Sequence, residues 1–223
     1  MKMKKGLLIA FEGIDGTGKT SLAIMLKKRF EALSFTIEIF KEPTNITEAG
    51  KKIRESYVND RPSLETELQW FLEDRGWDVE HRILPALEEK KIVFMDRYFF
   101  STACYQGVRN NNDWESILNT NRDKFPEPDL TIIFDLDVKV AIQRIVKDRS
   151  KINTFEGQQY LQQVRDLFLE IYNNDQVGNY FLIDSEQSIE DIVEILYNLI
   201  HGLIKKEVLV DEEELKEENK IDT

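Results

Sequence analysis

Five short apolar runs, each followed by a segment long enough for a helix, constrain the fold of this 223-residue chain most strongly. They are residues 6–12 (GLLIAFE), 35–40 (FTIEIF), 91–96 (KIVFMD), 130–136 (LTIIFDL) and 179–184 (NYFLID). Strands that alternate with helices pair in parallel, because each crossover helix returns the chain to the same end of the sheet. The pattern predicts a three-layer α/β fold in which helices wrap a five-stranded parallel sheet.

The C-terminal end of the chain combines a well-marked helix with an acidic run. Ser188 and Asp191 have the spacing of a capping box. Seven apolar residues then recur at helical spacing: Ile189, Ile192, Val193, Leu196, Leu199, Ile200 and Leu203. Residues 211–223 (DEEELKEENKIDT) have almost nothing to bury. We therefore expect one catalytic domain over residues 1–207 and an acidic, disordered tail over residues 208–223.

A glycine-rich segment between the first strand and the first helix predicts a triphosphate site. Residues 13–20 (GIDGTGKT) match G-x-x-x-x-G-K-[ST], the P-loop pattern, in the strand-to-helix context that the motif requires. The glycines let backbone N–H groups face an anion, Lys19 supplies charge to the β- and γ-phosphates, and Thr20 offers a hydroxyl to Mg²⁺. The fold is accordingly predicted to be that of P-loop NTPases. Residues 219–222 (NKID) match a guanine-reading motif, but they do not follow a core strand, so we give them no such role.

Two arginines occupy positions that suggest a specific ion-pair partner or ligand. Arg75 falls on the same predicted helical face as five apolar residues, which are Leu64, Leu68, Leu72, Val79 and Ile83. It is therefore either part of a structural salt bridge or a ligand contact that faces a polar cavity. Asp96 and Arg97 end the third strand, at the sheet edge where open α/β folds bind ligands. Asp96 suits a supporting role at a magnesium site and Arg97 a bidentate phosphate contact, unless the two form only a structural ion pair.

With these residues identified, the chain resembles the thymidylate kinase family, which phosphorylates dTMP with ATP, from about residue 7 to residue 203. The similar segments are FEGIDGTGKT in the P-loop, KEP (41–43) and KKIRES around Arg54, LQWFLEDR around Phe71 and Arg75, residues 85–106 and residues 128–144. The resemblance implies in-line transfer of the γ-phosphoryl group of MgATP to dTMP, with Mg²⁺ as cofactor and dTDP, a precursor of dTTP, as product.

The resemblance also implies roles for individual residues. ATP would be bound by Gly13, Ile14, Asp15, Gly16, Thr17, Gly18, Lys19, Thr20, Ser21 and Arg144. The acceptor dTMP would be bound by Asp15, Glu42, Pro43, Arg54, Phe71, Arg75, Arg97, Ser101, Tyr105 and Gln106. Within that set Phe71 would stack on thymine, Arg75 would donate to its O4 carbonyl, and Tyr105 would crowd the 2′ position. Thr20 and Asp96 would serve the metal.

A short lid is expected at residues 147–155, between two helices. It carries Lys147, Arg149 and Lys151, and Arg149 is our candidate for a catalytic cation that closes over the phosphates. The other catalytic candidates are Lys19, Asp15 and Arg97. After the lid, Phe155 and Glu156 resemble a pair found in the family.

Composition limits the partners of the chain. The formal charge of −12, from 42 acidic and 30 basic residues, disfavours charge-driven binding to nucleic acid or to anionic membranes. Residues 1–5 are too short for a signal peptide and no apolar run reaches the roughly 18 residues of a membrane span, so we expect a cytoplasmic enzyme. Its expected partners are ATP and dTMP, and the resemblance implies a homodimer. Two alternatives remain open: a kinase for another nucleotide or nucleoside, because Trp70, Glu73 and Asp74 stand near Arg75 where the family often has small residues, and a nucleotide-dependent switch or regulator.

Overall fold

The computed structural model describes residues 3–111, 113–148 and 154–221, with side chains except for 147–148, 154–156 and 208–221. Five strands form one sheet: β1 (Leu7–Glu12), β2 (Ile37–Lys41), β3 (Ile92–Asp96), β4 (Leu130–Asp135) and β5 (Tyr180–Asp184). Their order is β2-β3-β1-β4-β5, and each of the four pairings is parallel. The prediction of a five-stranded parallel sheet is confirmed.

The helices of the described residues connect these strands. They are α1 (Lys19–Glu31), α2 (Glu48–Ser56), α3 (Leu64–Asp78), α4 (Leu84–Glu88), α5 (Phe99–Gly107), α6 (Trp114–Arg122), α7 (Val138–Asp148), α8 (Thr154–Asn174) and α9 (Ile189–Ile221). A π turn, Val79–Ile83, joins α3 to α4. Among the described residues, no helix has both the length and the apolar character that a membrane crossing requires.

The sheet separates two apolar layers, which gives the three-layer architecture predicted from the sequence. On one side, β1 contributes Leu7, Ile9 and Phe11, which belong to a cluster with α1 and α9. On the other side, Leu8 and Ala10 belong to a cluster that α5, α6 and α8 complete. Successive strand residues point to opposite faces, so a strand that is buried on both faces must be apolar at every position. This requirement explains the unbroken apolar run of β1.

Helix α9 begins as the capping box predicts. The Asp191 amide donates to Ser188 Oγ over 3.1 Å, and the Ser188 hydroxyl donates to Asp191 Oδ2 over 2.7 Å. The described helix ends at Ile221 and so runs past residue 207 into the segment assigned to the acidic tail. The domain boundary at 207 and the disorder of residues 208–223 stay predictions.

Candidate active site

The P-loop leaves the carboxyl end of β1 at the centre of the sheet. Gly13, Gly16 and Gly18 have φ angles of 133°, 85° and 90°, in the region that favours glycine. At Gly13 a Cβ atom would lie 2.5 Å from the carbonyl oxygen of Phe134 on β4, so a side chain there is excluded. Gly18 is the N-cap of α1. The loop therefore leads directly into the N-terminus of α1. Backbone N–H groups at such a helix N-terminus can bind an anion.

Lys19 is held inside this loop. Its side-chain ammonium donates to the carbonyl oxygens of Gly13 (3.0 Å) and Ile14 (2.7 Å) and to Thr17 Oγ1 (3.1 Å). Burial lowers the pKa of Lys19 to about 7, and the positive charge of Arg97 acts in the same direction. A bound triphosphate would oppose both influences, because a nearby negative charge favours the protonated amine. Binding of an anionic ligand would therefore raise the pKa of Lys19 and stabilise its protonated form.

Thr20, in the first turn of α1, lies beside Asp96 at the carboxyl end of β3. The Thr20 hydroxyl donates to Asp96 Oδ2 over 2.5 Å, and the Lys41 ammonium lies 2.7 Å from the same oxygen. Burial works against ionisation of Asp96, but hydrogen bonds from Lys41 and Thr20 outweigh it and lower the pKa of this carboxyl. A hydroxyl beside an ionised carboxylate fits Mg²⁺, which takes oxygen ligands. In the described part of the chain, no group of three or more acidic, His or Cys residues is arranged to hold a metal ion.

Arg97 joins the P-loop to α5. Its guanidinium donates to Gly13 O (3.0 Å), Ser101 Oγ (2.8 Å), Asp15 Oδ1 (2.7 Å) and the Tyr105 hydroxyl (3.2 Å). The residue has a φ of 73°, so its backbone adopts the left-handed conformation at the point where β3 ends. Four residues predicted for the site are therefore brought into one hydrogen-bonded cluster around a single cation. The sequence could not show that Asp15 and Arg97, 82 positions apart, are directly paired.

Glu12 is a residue of this cluster that the sequence interpretation missed. It is fully buried, and its carboxylate accepts from the backbone amides of Tyr98 (2.8 Å) and Ser101 (3.2 Å) and from the Ser101 hydroxyl. Burial raises the pKa of Glu12, while the hydrogen bonds oppose that change. Glu12 therefore anchors the start of α5 to β1. An acidic residue at the end of an apolar strand was the available signal.

Arg75 is 1% exposed and lies among polar partners. Its Nε donates to Glu42 Oε2 over 2.8 Å, Nη2 donates to Thr102 Oγ1 over 2.9 Å, and Nη1 donates to Asn121 Oδ1. Nη2 also lies 2.6 Å from Glu42 Oε2. Burial raises the pKa of Glu42, and the charge of Arg75 opposes this shift. Of the two explanations left open for Arg75, the salt bridge is present.

The buried face of α3 differs from the apolar stripe expected around Arg75. Leu64, Leu68 and Leu72 are only partly buried, whereas the fully buried residues are Glu67, Phe71, Asp74, Arg75 and Asp78. The leucine periodicity was therefore wrong as a guide to this face. Val79 is buried because it lies one turn after Arg75 on the same face of the helix. The π turn that begins at Val79 then changes the helical phase before Ile83, which is also buried.

The loop after β2 is fixed by Asp74 and Arg54. The Asp74 carboxylate accepts from the Thr44 amide (2.7 Å) and hydroxyl (2.6 Å), and Arg54 donates from Nε to Thr44 O over 3.1 Å. Arg54 also donates to the carbonyl oxygen of Pro43, which follows Glu42 through a cis peptide bond. The structure thus places Arg54 of α2 against the loop that carries Glu42 and Pro43.

Gln106 and Phe71 complete the predicted acceptor residues. Phe71 lies one turn before Arg75 and is 7% exposed. Gln106 is 1% exposed, and its Oε1 has no hydrogen-bond partner within the described ranges. A buried acceptor without a partner is costly, so this amide suits a ligand that donates a hydrogen bond.

A cleft of about 680 Å³ follows the P-loop from Arg97 to the end of β5. Its lining includes the predicted residues Asp15, Gly16, Thr17, Gly18, Lys19, Thr20, Ser21, Asp96, Arg97 and Arg144. Arg144 donates to the carbonyl oxygens of Ser185 (3.1 Å) and Gly16 (3.4 Å). The sequence interpretation did not assign to the site the other residues that line this cleft, which are Leu22, Lys41, Ile145, Ser185, Gln187, Ile189 and Ile192. The position of Ser185 directly after β5 was the signal, since ligands bind at the carboxyl ends of parallel strands.

The predicted lid cannot be placed. Arg149 and Lys151 lie outside the described residues, and the side chains of Lys147, Phe155 and Glu156 are not described. The role of Arg149 therefore stays a prediction.

Comparisons with known proteins identify the family of this chain. Residues 11–195 match the family model "Thymidylate kinase". The chain is 38% identical to "Probable thymidylate kinase" from Archaeoglobus fulgidus over 198 residues, which cover 89% of this chain and 96% of the relative. It is 37% identical to "Probable thymidylate kinase" from Pyrococcus horikoshii, with coverages of 92% and 98%. It is 35% identical to "Thymidylate kinase" from Aster yellows witches'-broom phytoplasma, with coverages of 92% and 100%. This chain belongs to the thymidylate kinase family.

Proposed function

We propose that this enzyme transfers the γ-phosphoryl group of MgATP to dTMP and forms dTDP and ADP. The observation that carries the proposal is the pairing of Asp15 with Arg97. Asp15 belongs to the triphosphate loop, and Arg97 is a cation at the centre of a second polar cluster. A P-loop that only hydrolyses a nucleotide has no need of such a cluster, whereas transfer between two phosphates requires two adjacent anion sites.

On the donor side, the P-loop binds the triphosphate of ATP. The proposed ATP ligands are residues 13–21 together with Arg144. Lys19 lies where a bound β- or γ-phosphate would replace its carbonyl partners, and its burial strengthens the attraction because water cannot screen it. Arg144, which bridges Gly16 and Ser185 at the cleft, flanks the adenine.

On the acceptor side, Arg97 and Arg54 bind the phosphate of dTMP. The Nη1 and Nη2 groups of Arg97 now donate to Gly13 O, Ser101 Oγ, Asp15 Oδ1 and the Tyr105 hydroxyl. A bound phosphate would replace some of these acceptors and receive two parallel hydrogen bonds from the planar guanidinium. Asp15 contacts the sugar 3′-hydroxyl, and Ser101 orients Arg97. Tyr105 crowds the 2′ position and so favours deoxyribose.

Base recognition falls to the buried residues behind this phosphate site. Phe71 stacks on thymine, and Arg75 donates to the O4 carbonyl, with Glu42 and Pro43 shaping the loop beside it. Arginine has donors only, so the amino group of cytosine at the same position meets it unfavourably. Gln106 lies near the base with an acceptor still to satisfy.

The chemistry needs no strong base, because the phosphate of dTMP is already largely ionised near neutral pH. Mg²⁺, held by Thr20 with support from Asp96, supplies positive charge to the β- and γ-phosphates when it is bound. Lys19 and Arg97 draw the two phosphates together and neutralise charge on the transferring group. Arg149 of the lid contributes a further cation when the lid closes.

The assembly and the cellular location belong to the proposal as well. By its family resemblance the enzyme is a homodimer, and it acts in the cytoplasm, where its substrates are made and used. Light scattering at micromolar concentration tests the dimer.

A coupled ADP-release assay with dTMP, dUMP, dCMP, UMP and thymidine tests the substrate. We expect dTMP to give the highest kcat/KM and thymidine to give no turnover, because it lacks the phosphate that Arg97 binds. Preference for another nucleotide would favour the rival kinase. ADP release that no acceptor stimulates would favour a switch or regulator.

A further inference from the structure

The guanidinium of Arg75 is held at all three of its nitrogens. Nε bonds to Glu42, Nη2 to Glu42 and Thr102, and Nη1 to Asn121. Arginine carries five N–H groups, two of them on Nη1. Only one of those two has a hydrogen-bond partner in the part of the chain that the structure describes. The second N–H of Nη1 is thus the donor of Arg75 that remains for a ligand.

Asn121 is built to hold Nη1 in one orientation. It lies on α6 and is 2% exposed, and its Nδ2 donates to the carbonyl oxygen of Ile117 one turn earlier, over 2.8 Å. That bond leaves Oδ1 as the atom that faces Arg75, because a flipped amide would set two donors against the guanidinium. The orientation of the Asn121 acceptor is therefore fixed by the backbone of α6.

The packing around two partners of Arg75 is incomplete. Asn121 and Thr102 line a cavity of about 110 Å³, together with Leu68 and Leu72 of α3 and residues of α6. Side chains beside a cavity have room to move, so the hydrogen bond to Ile117 supplies a restraint on Asn121 that packing on the cavity side does not.

We propose that Asn121 is a positioning residue for base recognition. By occupying one N–H of Nη1, it directs the other toward the carbonyl at position 4 of the acceptor base. This inference rests on the proposed function, in which Arg75 donates to that carbonyl. Asn121 acts through Arg75 and does not itself touch the substrate.

Steady-state kinetics of Asn121→Leu test the proposal. Leucine has nearly the same volume, removes both hydrogen bonds, and can use the neighbouring cavity for its branch. Loss of a hydrogen bond to a charged group corresponds to roughly a 10–100-fold effect. We expect KM for dTMP to rise by roughly that factor, with kcat and KM for ATP within about threefold of the wild type.

A substrate analogue supplies a measurement that a purely structural role would not change. In 4-thio-dTMP the oxygen is replaced by sulfur, which is a weaker acceptor. The wild-type enzyme should have a higher kcat/KM for dTMP than for 4-thio-dTMP. Asn121→Leu should reduce the ratio of these two values at least about fivefold, because the free N–H of Arg75 Nη1 is no longer held in one direction. Asn119→Leu is the matched control, since Asn119 is exposed on the same helix. It should change neither KM nor the preference.

Asn121→Ser is the second variant, in case leucine prevents folding. Serine is too short to reach Nη1, so the same rise in KM and the same loss of preference are expected. Wild-type KM and wild-type preference in either folded variant would overturn the proposal, as would a parallel loss of ATP binding. Failure of the wild-type enzyme to phosphorylate dTMP would instead overturn the proposed function.

Discussion

Replacement of Arg97 gives the most quantitative test of the acceptor phosphate site. The side chain makes hydrogen bonds to Gly13, Asp15, Ser101 and Tyr105, so the guanidinium is already oriented before a phosphate arrives. A hydrogen bond to a charged group contributes roughly 1.5–3 kcal/mol. Two such bonds to the phosphate of dTMP give about 3–6 kcal/mol, or roughly 10²–10⁴-fold in kcat/KM.

Two substitutions separate charge from geometry. Arg97→Ala removes both, and we expect kcat/KM for dTMP to fall by the full factor of roughly 10²–10⁴. Arg97→Lys keeps a positive charge but loses the two-donor plane, so a smaller loss of about 10–100-fold is expected. Both variants keep a non-glycine residue at a φ of 73°, so the backbone strain is the same in each and cancels from the comparison.

The assay is coupled ADP release with dTMP varied at saturating ATP. Arg29→Ala is the control, because it removes an arginine from the same enzyme about 15 Å along α1 from the P-loop. Its kcat/KM should match the wild type. If Arg97→Ala retained kcat/KM within threefold of the wild type, Arg97 would not bind the acceptor phosphate.

Three further predictions concern the donor site, acid stability and packing. Lys19→Ala should lower turnover at least about tenfold, because the cation that meets the β- and γ-phosphates is lost; near-normal turnover would contradict this role. Burial would raise the pKa of Asp175, but hydrogen bonds from Arg122 and Tyr180 lower it to about 2. Asp175 therefore stabilises the fold above pH 4 and loses this effect as the pH falls to about 2, so Asp175→Asn should cost roughly 1–2 kcal/mol by urea unfolding at pH 7 and almost nothing at pH 2. Gly50→Ala would place a Cβ atom 2.4 Å from Thr44 O and should lower the free energy of unfolding by about 1–3 kcal/mol, whereas Gly202→Ala, which meets nothing within 4 Å, should not.

The sequence predicted those features that depend on residues close together in the chain. The five strands follow from continuous apolar runs, and the P-loop follows from spacing within eight residues. The grouping of Asp96 and Arg97 with this loop followed from one rule, that the carboxyl ends of parallel strands share an edge.

The partners of buried charges were not predictable in the same way. Arg75 bonds to Glu42, Thr102 and Asn121, which lie 33, 27 and 46 positions away. No local pattern encodes such contacts, because they arise from the packing of α3 against α5, α6 and the loop after β2. The π turn after α3 also breaks the 3.6-residue period on which the stripe argument depended.

Transfer of label from [γ-³²P]ATP to dTMP tests the central claim most directly, because that claim joins the P-loop and the Arg97 cluster into one site for two substrates. The products of a single incubation are separated and counted. The account predicts one labelled dTDP for each ADP formed and no excess of labelled inorganic phosphate. Label that appears only in inorganic phosphate, or ADP formation that does not depend on dTMP, would contradict it.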